Sequence, residues 1–170
     1  MYPPSAAKVA EGAAEITRDI SRPSPEEQPG FAAFSLRFPQ VQPKFAVRQT
    51  GKAADGSKTY LLELDPAALA GVHDCFLRID FAGDRADFLI NGEKAADWFY
   101  NGETWEIGLR RFANQLPGAE LKITVYPLHQ SDPVYMDVPP RFPEDGSPLC
   151  ALVQAEAVTE YMAALELRPQ

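Results

Sequence analysis

From Phe31 onward, apolar residues recur at every second position. That spacing suits a β-strand with one buried face, because successive side chains point to opposite sides. In FSLRF (34–38), Phe34, Leu36 and Phe38 alternate with polar neighbours. KFAVRQT (44–50) and TYLLELD (59–65) read as further strands, separated by the turn cluster GKAADGS (51–57). DPAALAGVHD (65–74) predicts a short helical turn: Asp65 caps it, Pro66 suits the first helical position, and Gly71 ends it.

The pattern is densest between Cys75 and Phe112. A strand over 75–81 is followed by the turn AGD (82–84) and a second strand over 85–90. Asn91-Gly92 is a type I′ hairpin signal, since both central residues of that turn need positive φ. EKAADWF (93–99) returns as a third strand, and Tyr100-Asn101-Gly102 turns again. TWEIGL (104–109) is short and apolar, and RRFANQL (110–116) fits one helical turn. ELKITVYPL (120–128) is a strand that Pro127 ends or confines to an edge. The stretch 129–148 is proline-rich and irregular, with VYMDV (134–138) as a short edge strand. CALVQAEAVTEYMAALEL (150–167) fits two short strands or an amphipathic helix, and comparison with the family named below favours strands.

The N-terminal part differs. Residues 6–20 fit either a short helix or a strand around Ala14–Ile20. SRPSPEEQPG (21–30) has three prolines and no large apolar residue, so residues 1–30 read as a lead-in or linker. Residues 31–168 then form one domain. Short strands with turns between them predict an all-β fold, an antiparallel β-sandwich of jelly-roll type with about eight to ten strands. The strands starting near Cys75, Arg85 and Leu121 should lie in the middle. Phe76, Ile79, Phe81, Phe88, Ile90, Ile123 and Val125 are core candidates, although alternation turns part of that set outward. There is no βαβ order and no glycine-rich strand-to-helix loop, which argues against a nucleotide-binding α/β core.

Composition narrows the function classes. Ten Phe, six Tyr and two Trp supply a core without disulfides or metals. The net charge of −8, with no long basic run, disfavours nucleic acid and anionic membranes and leaves neutral partners such as sugars open. Cys75 and Cys150 read as small buried hydrophobes. The first residues carry no basic or apolar signal-peptide region, and no apolar run reaches the ~20 residues of a membrane helix, so the chain reads as soluble with its compartment undetermined.

Motifs for catalysis are weak. His73 and His129 stand far apart with no second ligand at metal spacing, and there is no Gly-x-Ser-x-Gly elbow. Asp80, Asp84, Asp87, Asp97, Glu103 and Glu106 crowd the centre, where they suit turn capping and solvated faces better than a glycosidase pair. No catalytic residue, metal ligand or cofactor is therefore expected. Asp97 to Trp105 is the richest cluster. Trp98, Tyr100 and Trp105 offer flat rings for the apolar face of a pyranose, while Asp97 and Asn101 offer hydrogen bonds to its hydroxyls. The competing reading is that Trp98, Phe99 and Trp105 are core and Asn101-Gly102 only turns the chain.

The runs FLRIDFAGD, Asn91-Gly92, Asp97-Trp98-Phe99-Tyr100-Asn101-Gly102 and Trp105-Glu106-Ile107-Gly108-Leu109, followed by LKITVYPL and Pro-Val-Tyr, resemble the C-terminal jelly-roll region of bacterial glycoside hydrolase family 35 and related β-galactosidases. Those regions are similar to galactose-binding-like β-sandwiches. The resemblance covers about 60 residues well and about 140 loosely. It implies a non-catalytic accessory domain that follows a (β/α)₈ catalytic barrel, braces it and binds sugar weakly. The family's catalytic glutamates belong to the barrel, which needs ~200–250 residues of its own, so none maps onto this chain. The implied partners are the catalytic domain of a parent enzyme and a galactoside. The alternative is an independent carbohydrate-binding module that recognises galactose-type sugars through exposed aromatics.

Overall fold

The computed structural model describes residues 15–18, 34–38, 42–136 and 139–162. In chain order the elements are β1 (Glu15–Arg18), β2 (Phe34–Arg37), β3 (Phe45–Lys52), β4 (Lys58–Leu64), β5 (Asp74–Ala82), β6 (Arg85–Ile90), β7 (Glu93–Phe99), β8 (Trp105–Gly108), a 3₁₀ turn (Arg110–Phe112), β9 (Leu121–Val125) and β10 (Ala151–Glu160). Five strands form one sheet in the order β3-β4-β9-β6-β7, and three form a second in the order β10-β5-β8. All pairings are antiparallel. The two sheets pack face to face, so the chain is an all-β sandwich, as its alternation predicts. β1 and β2 pair with each other in a separate ribbon.

The core follows from strand parity. In β5, Cys75, Leu77, Ile79 and Phe81 point inward and are buried. They meet Tyr60 and Leu62 of β4, Ala86, Phe88 and Ile90 of β6, and Leu121, Ile123 and Val125 of β9, with Trp105 and Ile107 of β8 alongside. Burying one such large side chain contributes roughly 1.5–3 kcal/mol, so this layer carries most of the stability. β5 is the middle of the small sheet and β9 and β6 are interior strands of the large one, as expected from the sequence. Phe76 is the exception among the core candidates. It is only half-buried and shares the outward parity of Arg78 and Asp80.

Two glycines position the central strands. Asn91 and Gly92 have φ of 53° and 83°, the left-handed geometry that lets Ile90 pair directly with Glu93. Gly83 passes so close to the Tyr126 carbonyl and the Val125 side chain that a Cβ would collide with both. The chain turns there from the small sheet into the large one.

Several local expectations are corrected. Residues 66–71 form consecutive turns without a helix: Asp65 Oδ1 accepts the Ala67 N–H at 2.9 Å, and Gly71 at φ 71° breaks the progression before β5 begins at Asp74. Residues 134–136 carry no strand, and 137–138 lie outside the described residues. Over Ala151–Glu160 the C-terminal segment is a single ten-residue strand, with its ladder to β5 interrupted near Val153. Residues 163–167 lie outside the described residues, as do 6–14 and the linker stretch 21–30; Glu15–Arg18 is a strand.

The sandwich has two sides. On one, residues Tyr100–Thr104 carry the chain from β7, an edge of the large sheet, to β8, an edge of the small one. On the other, β10 lies against β3 and β4. There a groove of about 430 Å³ separates Phe45, Val47 and Tyr60 from Leu152–Ala155. The Tyr60 hydroxyl spans it and accepts the Leu152 backbone N–H at 3.2 Å.

Candidate functional site

The run Asp97–Trp105 does not form one recognition surface. Asp97 faces outward on the large sheet, paired with Asp87, and its carboxylate accepts from Lys94 Nζ at 3.1 Å. Trp98 sits in the inward row beside Ala86, but at the sheet edge, and remains 39% exposed. Its indole N–H donates to Asn101 Oδ1 at 3.4 Å. The same oxygen accepts the Glu103 backbone N–H at 3.0 Å, and Gly102 takes φ 86°, so Asn101 organises the turn. Phe99 points outward and is 66% exposed.

Two of the nominated aromatics are not accessible platforms. Tyr100 is half-buried and packs edge-on against Phe81, ring centroids 5.8 Å apart. Trp105 is only 3% exposed, lies opposite Ile79 and belongs to the core. The reason is topological. The chain leaves one sheet at Phe99 and joins the other at Trp105, so the alternation restarts and neighbouring residues land on different faces.

The crowded carboxylates also divide. Asp87 is buried although it lies in an outward row. Its Oδ2 accepts the Tyr126 hydroxyl at 3.2 Å, and its Oδ1 lies 3.5 Å from Arg85 Nε and 3.9 Å from Lys94 Nζ. Arg85 in turn stacks 4.2 Å over the Tyr126 ring. These groups brace the outer face of the large sheet.

Asp80 and Glu106 go elsewhere, to the outer face of the small sheet. A groove of about 280 Å³ lies there, lined by Arg78, Asp80, Thr104, Glu106, Gln154 and Glu156. Register explains the convergence: Glu156, Arg78 and Glu106 are cross-strand neighbours, as are Gln154 and Asp80. Arg78 Nε donates to Glu106 Oε1 at 2.8 Å, and its Nη1 is 3.9 Å from Glu156 Oε1. Thr104 Oγ1 donates to Asp80 Oδ1 at 2.6 Å, which ties the crossing loop to this face. Sequence inspection did not nominate Arg78, Gln154 or Glu156 here. The signal was the outward parity of Phe76, Arg78 and Asp80 in FLRID.

The remaining His and Cys side chains lie elsewhere in the fold. His73 Nε2 stands 3.7 Å from Glu160 Oε2 in an exposed pair, and the His129 N–H closes a turn on Asp132 at 2.7 Å. Both cysteines are buried free thiols. Burial, followed by the charge of Asp74, pushes the Cys75 thiol up to about 11, and burial raises Cys150 as well. Both stay protonated at neutral pH and are poor nucleophiles. Among the described residues, no three His, Cys, Asp or Glu converge on a metal position, and no helix is long and apolar enough to cross a membrane. Comparison with family models, curated proteins and solved structures finds no match for this chain.

Proposed function

We propose that this chain is a non-catalytic accessory β-sandwich domain, of jelly-roll type, of a β-galactosidase-like glycoside hydrolase. In this reading it supports the catalytic barrel and binds sugar weakly. The observation that carries it is Phe99, a large aromatic residue 66% exposed on the outward face of edge strand β7, with Trp98 partly exposed at the same edge on the opposite face. An exposed aromatic residue on a sheet edge suits contact with a partner surface. The turn that follows is fixed by Asn101, so Phe99 is presented without a large ordering cost.

The test is co-purification of the chain with a (β/α)₈ β-galactosidase barrel encoded in the same gene or beside it. The complex should form, and Phe99→Ser should weaken it at least tenfold. The purified chain alone should not hydrolyse a nitrophenyl β-galactoside. Hydrolysis by the isolated chain, or an intact complex in the Phe99→Ser protein, rejects the reading.

An independent sugar-binding module is the second reading. The half-exposed Trp98 indole, hydrogen-bonded to Asn101, favours it. The inward packing of Tyr100 and Trp105 leaves that surface with one ring where three were expected.

A further inference from the structure

We propose that the connection between β9 and β10 is a processing site: an endopeptidase of trypsin-like specificity hydrolyses the Arg141–Phe142 bond and leaves a folded, two-chain domain. In that step water adds across the amide. Arg141 keeps the new carboxylate and Phe142 the new ammonium group.

The connection is long for a compact sandwich. It runs over 129–148 with no strand or helix among its described residues. Irregular loops beyond ~12–15 residues are uncommon and generally carry a function. The side-chain bonds of this one sit near its two ends: Asp132 Oδ2 accepts the His129 N–H at 2.7 Å, and Asp145 Oδ1 accepts the Ser147 N–H at 2.9 Å. Between them, no backbone–backbone hydrogen bond joins 139–142 to a described residue. Proteases cut where the chain can leave its own structure and lie extended in their cleft. This stretch has no ladder to leave. Pro140 fixes its own φ, and Pro143 biases Phe142 towards extended backbone, so both sides of the bond are already close to the shape a cleft requires.

Arg141 selects the class of protease. It is exposed, and the carboxylate at the base of a trypsin-like specificity pocket takes a basic side chain. The other described Lys and Arg residues lie in strands or in the 3₁₀ turn, apart from Lys44, whose carbonyl accepts the Asp65 N–H at 2.9 Å beside β3. The cut does not open the sandwich. Leu128 and Leu149 exchange both backbone hydrogen bonds at 2.9 Å and clamp the base of the loop. Beyond the clamp, Cys150 is buried with its thiol donating to the Val125 carbonyl at 3.3 Å, and Ala151–Glu160 stays paired along β5. The C-terminal piece is therefore held by the small sheet and by β9 at once.

The test is limited digestion of the full chain with trypsin under native conditions, followed by intact-mass spectrometry. The cut that releases 142–170 should precede any cut within 44–136. That piece arrives whole, because its one basic residue, Arg168, precedes a proline. Arg141→Gln should slow its release at least tenfold. On gel filtration the two pieces should co-elute, and the nicked protein should keep one cooperative unfolding transition. An earlier cut within 44–136, or undiminished release of 142–170 from the Arg141→Gln protein, overturns the site. So does an uncut loop in a digest whose trypsin degrades the heat-unfolded chain. Separation of the pieces on gel filtration overturns the two-chain product.

Discussion

At one side of the sandwich the backbone itself crosses from β7 to β8, and within six residues it delivers Tyr100 and Trp105 to the core. At the other side, β10 and β3 face each other across an open groove, and the Tyr60 hydroxyl bridges it to the Leu152 N–H. The first side is closed by covalent connection and apolar packing, the second by apolar contacts of Phe45, Val47, Leu152 and Ala155 with the core and by a hydrogen bond. A side fastened by the chain can leave Trp98 and Phe99 in solvent without loosening the sheets. A side fastened by a side chain depends on that side chain.

This contrast is open to attack at both places. Trp105→Ala removes a core indole from the crossing side and should cost ~3–5 kcal/mol, read as a lower midpoint in denaturant unfolding. A loss below ~1 kcal/mol contradicts its place in the core. Tyr60→Phe keeps the ring and removes only the bridge. It leaves a backbone N–H unpaired at the groove and should cost ~1–2 kcal/mol by the same measurement. Unchanged stability shows that water replaces the hydroxyl and that the second side needs no fastening. Asn101→Ala frees the Trp98 indole and the turn, yet should cost only ~0.5–1 kcal/mol, because the crossing side is already held by the chain. Trp98 fluorescence should shift to the red as the ring loosens.

The smallest effect concerns Asp55, in the β3–β4 turn. Its carboxylate accepts the Ser57 backbone N–H at 2.9 Å, and that bond holds its pKa below the ordinary value of 3.8. The charged form is favoured in the folded state, so its contribution is present above pH 3.8 and is lost as pH falls through the lower folded value. Asp55→Ala should therefore lower the unfolding midpoint slightly at pH 6 and differ less from the parent protein at pH 3. A difference that grows on acidification contradicts this sign.

How much could be read from the chain depended on distance along it. The Asn91-Gly92 hairpin was legible because two adjacent residues determine the turn and the register of both flanking strands. The helix-or-strand choice over 150–167 was not settled by propensity, since Ala and Glu favour a helix. Pairing of Ala151–Glu160 with β5, some 75 residues earlier, settles it over that range. Phe76 was misplaced for a different reason. Ile79 and Phe81 already set the parity of β5, and that parity sends Phe76 outward, so hydrophobicity alone was the wrong criterion. The Asp97–Trp105 cluster looked continuous because sequence shows proximity along the chain and not the passage from one sheet to the other. The polar groove was hidden for the complementary reason: its six residues come from β5, β10, β8 and the adjoining loop, and only register unites them.

The irregular step near Val153 bears on how the molecule behaves among copies of itself. Among the described residues β10 pairs on one side only. A straight ten-residue border would offer a regular row of donors and acceptors, the template on which like chains stack into fibres. The extra residue twists that row out of line, and Tyr60 occupies the Leu152 donor beside it. The same irregularity that spoils ideal pairing with β5 thus makes this border a poorer template for an added strand.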